Sequence, residues 1–191
     1  DVPVFLCLRN VADAPIDAAH PEATISPKTL ETLIIRLKAA NYRLMTASEA
    51  IAAPDQKAVV LTFDGGSRDA FFNLFPVLKK HHAKATCFVP ALDPQNVDHL
   101  KSLEIQEMVR SGLVEIGSTV TAEQATSATL PDDIRRTRNW MTGVLGHLPT
   151  LFSLPIDVAP EAIRAAALDA GYKYLFTAGK YMRPVAEAPD D

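Results

Sequence analysis

Apolar residues along this chain come in two rhythms. Short unbroken runs of four to seven alternate with longer stretches in which the apolar residues fall three or four apart. The runs VPVFLCL (2–8), KAVVLTF (57–63), KATCFVP (84–90), LVEIGS (113–118), TLFSLP (150–155) and YKYLFT (172–177) predict buried strands. The stretches between them predict helices. In residues 26–42, Leu30, Leu33, Ile34 and Leu37 share one helical face. Ser26 can cap that helix, and Pro27 suits its first turn. Further helices are predicted over 68–82, bent at Pro76, and over 100–112, 131–146 and 160–171. Gly112 and Gly171 stop two of them.

Apolar strands separated by helices imply a parallel sheet with helices packed outside. About six such units in 191 residues suit a closed or nearly closed α/β barrel, or else a doubly wound open sheet. In both architectures ligand chemistry sits at the carboxyl ends of the strands. That rule selects Asp64, the 91–99 loop, Ser118–Glu123, Pro155–Asp157 and Thr177–Lys180. A single domain over residues 1–191 is expected.

Composition narrows the function classes. Hydrophobic residues make up 48% and charged residues 22% of the chain, a globular balance. The formal net charge is −4 and no Lys/Arg run appears, so nucleic acid is a poor partner. No apolar stretch is long enough to predict a membrane span. Cys7 and Cys87 each sit in an apolar run and are expected to be buried small hydrophobes, or a disulfide if the two runs are neighbours. The chain begins at Asp1 rather than Met, which suggests a processed mature protein or a trimmed piece of one.

Three segments carry a resemblance. LTFDGGSRDAFFNLFPVLKKHHAKATCFV, EMVRSGLVEIGSTVT and LFSLPIDVAPEAIRAAALDAGYKYLFT follow the order and spacing of the polysaccharide deacetylases, the NodB-homology or carbohydrate esterase 4 group. VPVFLCLRNV and SPKTLETLIIRLKAANYRLMTASEAIAA resemble the opening of the subgroup that deacetylates poly-N-acetylglucosamine. The resemblance implies a distorted (β/α) barrel of about seven strands and a periplasmic or extracellular location. It also implies a divalent metal, usually zinc, held by one aspartate and two histidines beside an aspartate base. Such a metal lowers the pKa of its bound water towards ~7 and polarises the acetyl carbonyl.

Position by position, Asp64 matches the base. The metal aspartate falls on Gly65, and the two histidines fall on Thr119 and Glu123. An arginine of the pattern falls on Ser153, a Tyr-Gly pair falls on Ile156 and Asp157, and an early histidine falls near Arg9. No histidine follows His147. The apolar framework matches while the polar working positions do not. The expectation is therefore a degenerate domain with no cofactor. Asp64 would hold the family's catalytic position, working or vestigial, with Thr119, Glu123, Ser153 and Asp157 as binding positions. Polysaccharide or N-acetylglucosamine oligomers, or other domains of a polysaccharide system, would be its partners. The alternative is an active N-deacetylase whose zinc or other divalent metal has moved to Asp64, Glu123 and the loop holding Asp93, Asp98 and His99. A third reading is a purely structural domain. Asp64 could also be a turn or capping residue, since Asp-Gly-Gly is ordinary turn chemistry. The 119–129 stretch reads as a plain surface loop. His81 and His82 read as a solvated helix end, and His147 as structural.

Overall fold

A computed structural model describes residues 3–15, 21–53, 57–91, 96–154, 160–177 and 184–187. Its strands are β1 (Val4–Leu8), β2 (Asn10–Val11), β3 (Thr24–Ile25), β4 (Arg43–Leu44), β5 (Ala58–Asp64), β6 (Ala85–Val89), β7 (Val114–Ser118), β8 (Leu151–Leu154), β9 (Tyr174–Thr177) and β10 (Pro184–Glu187). The helices are α1 (Pro27–Ala39), α2 (Ala47–Ala52), α3 (Phe75–His81), α4 (Ser102–Arg110), α5 (Ala122–Ala125), α6 (Leu130–Leu145) and α7 (Pro160–Asp169).

The main sheet runs β1-β5-β6-β7-β8-β9-β10, with β4 also pairing to β5. All its pairings are parallel except β9 with β10. The sheet curls into a distorted barrel with helices outside, as the family resemblance implied and as one of the two architectures the rhythm allowed. β2 and β3 form a small separate pair. A two-residue strand leaves no periodic trace, and the apolar pattern gave no sign of it.

Strand pleat divides the core into two sides. Val59, Leu61 and Phe63 of β5 join Ala85, Cys87 and Val89 of β6 beneath α1, α3 and α4. Their alternates face the barrel interior. There Phe5, Val60, Phe88, Leu151 and Phe176 cluster with Ala47 and Ala50, so α2 closes the end of the barrel at which the strands begin. Phe176 meets Phe5 and Phe88 at ring-centroid distances of 5.6 Å and 5.5 Å. Gly117 is required here, because a Cβ at that position would stand 2.6 Å from the Phe88 ring. A further core joins α6 and α7 to the outer faces of β8 and β9, with Phe152 against Tyr172.

The helix expected over 68–82 is not uniform. Residues Ala70–Leu74 form a π-helical turn before α3 begins. Pro76 has no N–H to return to Phe72, so the ladder widens where the sequence predicted a bend. The 119–129 stretch also departs from a plain loop. Thr121 accepts from the Gln124 N–H, and Gln124 returns the bond to the Thr121 N–H, which caps the one-turn α5. His81 is not simply solvated, since its Nε2 lies 2.7 Å from Glu31 Oε1.

The cysteines cannot form a disulfide. β5 lies between β1 and β6, and two strand spacings place the Cα atoms about 9–10 Å apart, beyond disulfide reach. Cys7 also faces the barrel interior while Cys87 faces the helices. Both thiols are free.

Candidate functional site

β5 is buried along its whole length until Asp64, its last residue. Thr62 and Asp64 share the inward side with Val60, so the Asp64 carboxyl points into the barrel at the carboxyl ends of the strands. The turn that follows needs glycine. Gly65 has φ +114° and Gly66 has φ +68°, a region L side chains rarely adopt. The Gly65 N–H donates to the Phe88 carbonyl at 3.0 Å. The next residues are stitched to the 96–100 loop. The Arg68 N–H donates to the Asp98 carbonyl at 2.8 Å, the Leu100 N–H donates to the Gly66 carbonyl at 3.0 Å, and Ser67 bridges His99.

Three of the sequence-selected residues meet at this mouth. Ser153, fully buried on β8, donates its hydroxyl to Asp64 Oδ2 at 2.7 Å. Thr119, just beyond β7 and buried, donates its hydroxyl to the Ser153 carbonyl at 2.8 Å. Asp64 Oδ1 is buried and makes no hydrogen bond among the described residues. Burial pushes the Asp64 carboxyl up to about 7, against the opposing pull of the Ser153 hydrogen bond and the Arg9 charge. Burial, reinforced by the Asp64 charge, also pushes the Cys7 thiol up to about 12 and raises the Cys87 thiol. Neither cysteine is a nucleophile at neutral pH.

Glu123 is exposed on the first turn of α5. Asp157 and Asp93 lie outside the described residues. Asp98 and His99 are described, and the His99 Nδ1 is buried without a partner among the described residues. Among those residues no group of three His, Cys, Asp or Glu side chains stands together as a metal site would require. His147 stands at the opposite end of the barrel, lining a shallow cavity with Ser48, Glu115 and Thr150.

Reading the sequence missed how the segment after Arg9 is fixed. Asp69 accepts from the Asn10 amide at 3.3 Å and from the Val11 N–H. Asn73 donates to the Val11 carbonyl at 2.6 Å. The spacing of Asp69 and Asn73 puts both on one helical face, which was the available signal. Arg68 donates twice to Glu104 Oε1, at 2.9 Å and 2.6 Å, and its guanidinium lies 5.0 Å from the Phe72 ring centroid.

The profile of the polysaccharide deacetylase family matches residues 52–175. The chain belongs to the polysaccharide deacetylase family. YxkH of Bacillus subtilis, a protein named for these deacetylases, is 26% identical over 141 residues, 69% of this chain and 50% of that protein. The chain thus spans about half the length of the curated relative it matches. In fold it is similar to a de-N-acetylase from Aggregatibacter actinomycetemcomitans. That TM-score is 0.76 at 20% identity, covering 92% of this chain and 87% of that one. It is also similar to IcaB from Ammonifex degensii, with TM-score 0.75 at 21% identity over 92% and 83% of the two chains.

The deacetylase family implies a divalent metal, and among the described residues the side chains at the family's ligand positions do not fit one. Gly65 brings no side chain. Its turn leaves open space where a Cβ would go, but its φ penalises any L residue placed there. Thr119 is a neutral hydroxyl already committed to a backbone carbonyl. Glu123 is exposed on its own short helix. Among the described residues at the family's ligand positions there is one carboxylate and no imidazole, a poor ligand set for zinc.

Proposed function

We propose that this domain binds N-acetylated polysaccharide without hydrolysing it, as a deacetylase-like carbohydrate-binding or scaffolding module. The observation that carries the reading is the contrast at the barrel mouth. The framework of a polysaccharide deacetylase is intact, and Asp64 is held in a defined hydrogen bond, yet the metal positions hold Gly65, Thr119 and Glu123. Amide hydrolysis at neutral pH needs a strong nucleophile. A lone carboxylate acting on bulk water supplies only the ~10²–10⁴-fold of general base catalysis, short of the ~10⁶-fold or more that enzymes reach.

Asp64, held in place by Ser153, and Arg9 still offer charge and hydrogen-bonding atoms of the kind that orient a sugar ring and its substituents. On this reading the domain works outside the cytoplasm, with matrix polymers or other parts of a polysaccharide system as partners. The test pairs two assays on the same preparation. Binding of tetra-N-acetylchitotetraose is measured by calorimetry, and acetate release from it is followed with added zinc, cobalt or nickel. Binding without acetate release is the expected result. Metal-dependent turnover that disappears in Asp64→Ala would replace this reading with that of an active N-deacetylase.

A further inference from the structure

We propose that the cavity at the strand-start end of the barrel, opposite Asp64, binds a small alkylammonium ion, with Glu115 as its charge partner. The proposal is independent of the reading of the mouth and holds whether or not the mouth binds polysaccharide.

The cavity lies among the starts of β7 and β8 and the last turns of α4 and α6. It measures about 260 Å³, just below the ~300–1,000 Å³ of pockets that hold drug-sized ligands, so its ligand is smaller than those. Val109, Ile116, Leu145 and Leu151 give it apolar walls, and Glu115 and His147 bring the titratable groups.

Glu115 is held through one oxygen only. The Ser48 N–H donates to Oε2 at 3.0 Å, and the buried Thr86 hydroxyl donates to the same oxygen at 3.2 Å. Among the described residues Oε1 takes no hydrogen bond and no Lys or Arg pairs with this carboxylate. Lys84, at the start of the neighbouring strand β6, is committed to Glu49 Oε1 instead. A half-buried carboxylate beside apolar walls, fixed in place and without a counter-ion, favours a cation that enters and disfavours an anion. In its neutral form the His147 ring donates from Nδ1 to the Leu148 carbonyl at 3.3 Å, which leaves Nε2 as a second acceptor. One carboxylate and one imidazole fall short of the three or four protein ligands that zinc takes. An ammonium needs only acceptors, and its alkyl chain covers the apolar walls. A sugar would set hydroxyls against those walls without partners.

The experiment follows backbone amide shifts of the wild-type chain by NMR in low salt at about pH 7.5, where an alkylamine is protonated. The probes are n-hexylammonium, the uncharged 1-hexanol and, as a salt control, ammonium chloride. Hexylammonium should shift the Glu115, Leu148 and Thr150 amides saturably, with a millimolar or tighter Kd, and ammonium chloride should not reproduce those shifts. Its affinity should exceed that of 1-hexanol by at least about tenfold, the contribution of a charge-assisted hydrogen bond. Glu115→Gln keeps an oxygen for Ser48 and Thr86 but puts an NH₂ donor at the open position. It should erase that preference and leave 1-hexanol binding within about twofold. Equal wild-type affinity for the two probes overturns the proposal, and so do saturable shifts that map to the mouth around Asp64 instead. These two readings decide it without the variant. Preference for hexylammonium that persists in a Glu115→Gln chain shown folded by circular dichroism overturns the role of Glu115. No saturable binding of either probe up to about 10 mM overturns the cavity as a ligand site.

Discussion

Replacing Asp64 by Asn should change how stability depends on pH. Burial raises the Asp64 carboxyl from 3.8 to about 7. A raised carboxyl means that the folded chain holds a proton the unfolded chain has released. Between those two values unfolding therefore releases one proton, and stability falls as pH rises. At about 1.4 kcal/mol per pH unit, the loss over this window of about three units is at most about 4 kcal/mol. Water entering the mouth when Asp64 ionises relieves part of it. The contribution is complete below about pH 4 and gone above about pH 7. Asn cannot ionise, so its curve lacks this slope. Urea denaturation of both chains at about pH 4.5, 6 and 8 gives the test, and the quantity read is the difference in slope. The absolute offset also contains the cost of an unpartnered amide N–H, about 1–3 kcal/mol. The Asn chain should gain on the wild type steadily as pH rises and then run parallel to it. Curves that stay parallel throughout would show that Asp64 is ionised and solvated in the folded state, and the account of the mouth would fail.

Gly117→Ala places a methyl 2.6 Å from two Phe88 ring carbons and 3.1 Å from Leu151 Cβ. It should destabilise the chain by about 1–3 kcal/mol, read as a lower thermal midpoint, and an unchanged midpoint would refute the packing assigned to the interior. Maleimide labelling of the native protein at neutral pH should be slow at both cysteines, since both thiols are buried at least in part and held protonated, and should become complete on unfolding. Rapid native labelling of Cys87 would contradict its place beneath the helices. The triple variant Gly65→Asp, Thr119→His, Glu123→His restores the side chains of a metal site and should still fail to take up one zinc per chain. The φ of +114° at residue 65 resists an L residue, and position 123 is exposed on α5. Stoichiometric uptake would show that the backbone of the old pocket survives.

The barrel strands and main helices were legible because their signals are local. Continuous apolar runs such as residues 57–63 mark strands covered on both faces, and the spacing of Leu30, Ile34 and Leu37 marks a helix face. Two-residue strands such as β2, and the one-turn α5, lie below the length at which periodicity speaks. A capping pair at Thr121 and Gln124 was present for α5. The site was half legible. The strand-end rule picked out Asp64 and Thr119, the family resemblance added Ser153, and the structure links the three by hydrogen bonds. The uniform apolarity of β5 hid which side of the sheet Asp64 faces. Its burial and the occupation of Oδ2 by Ser153 are long-range facts that no window of sequence contains. The role of Asp69 in holding Asn10 and Val11 was hidden for the same reason.

The most direct measurement is a zinc titration by calorimetry of untagged protein stripped with chelator, at about pH 7.5. With Gly65, Thr119 and Glu123 at the metal positions, the account predicts no stoichiometric binding in the micromolar range or tighter. One zinc per chain, lost in Asp64→Ala, would contradict it.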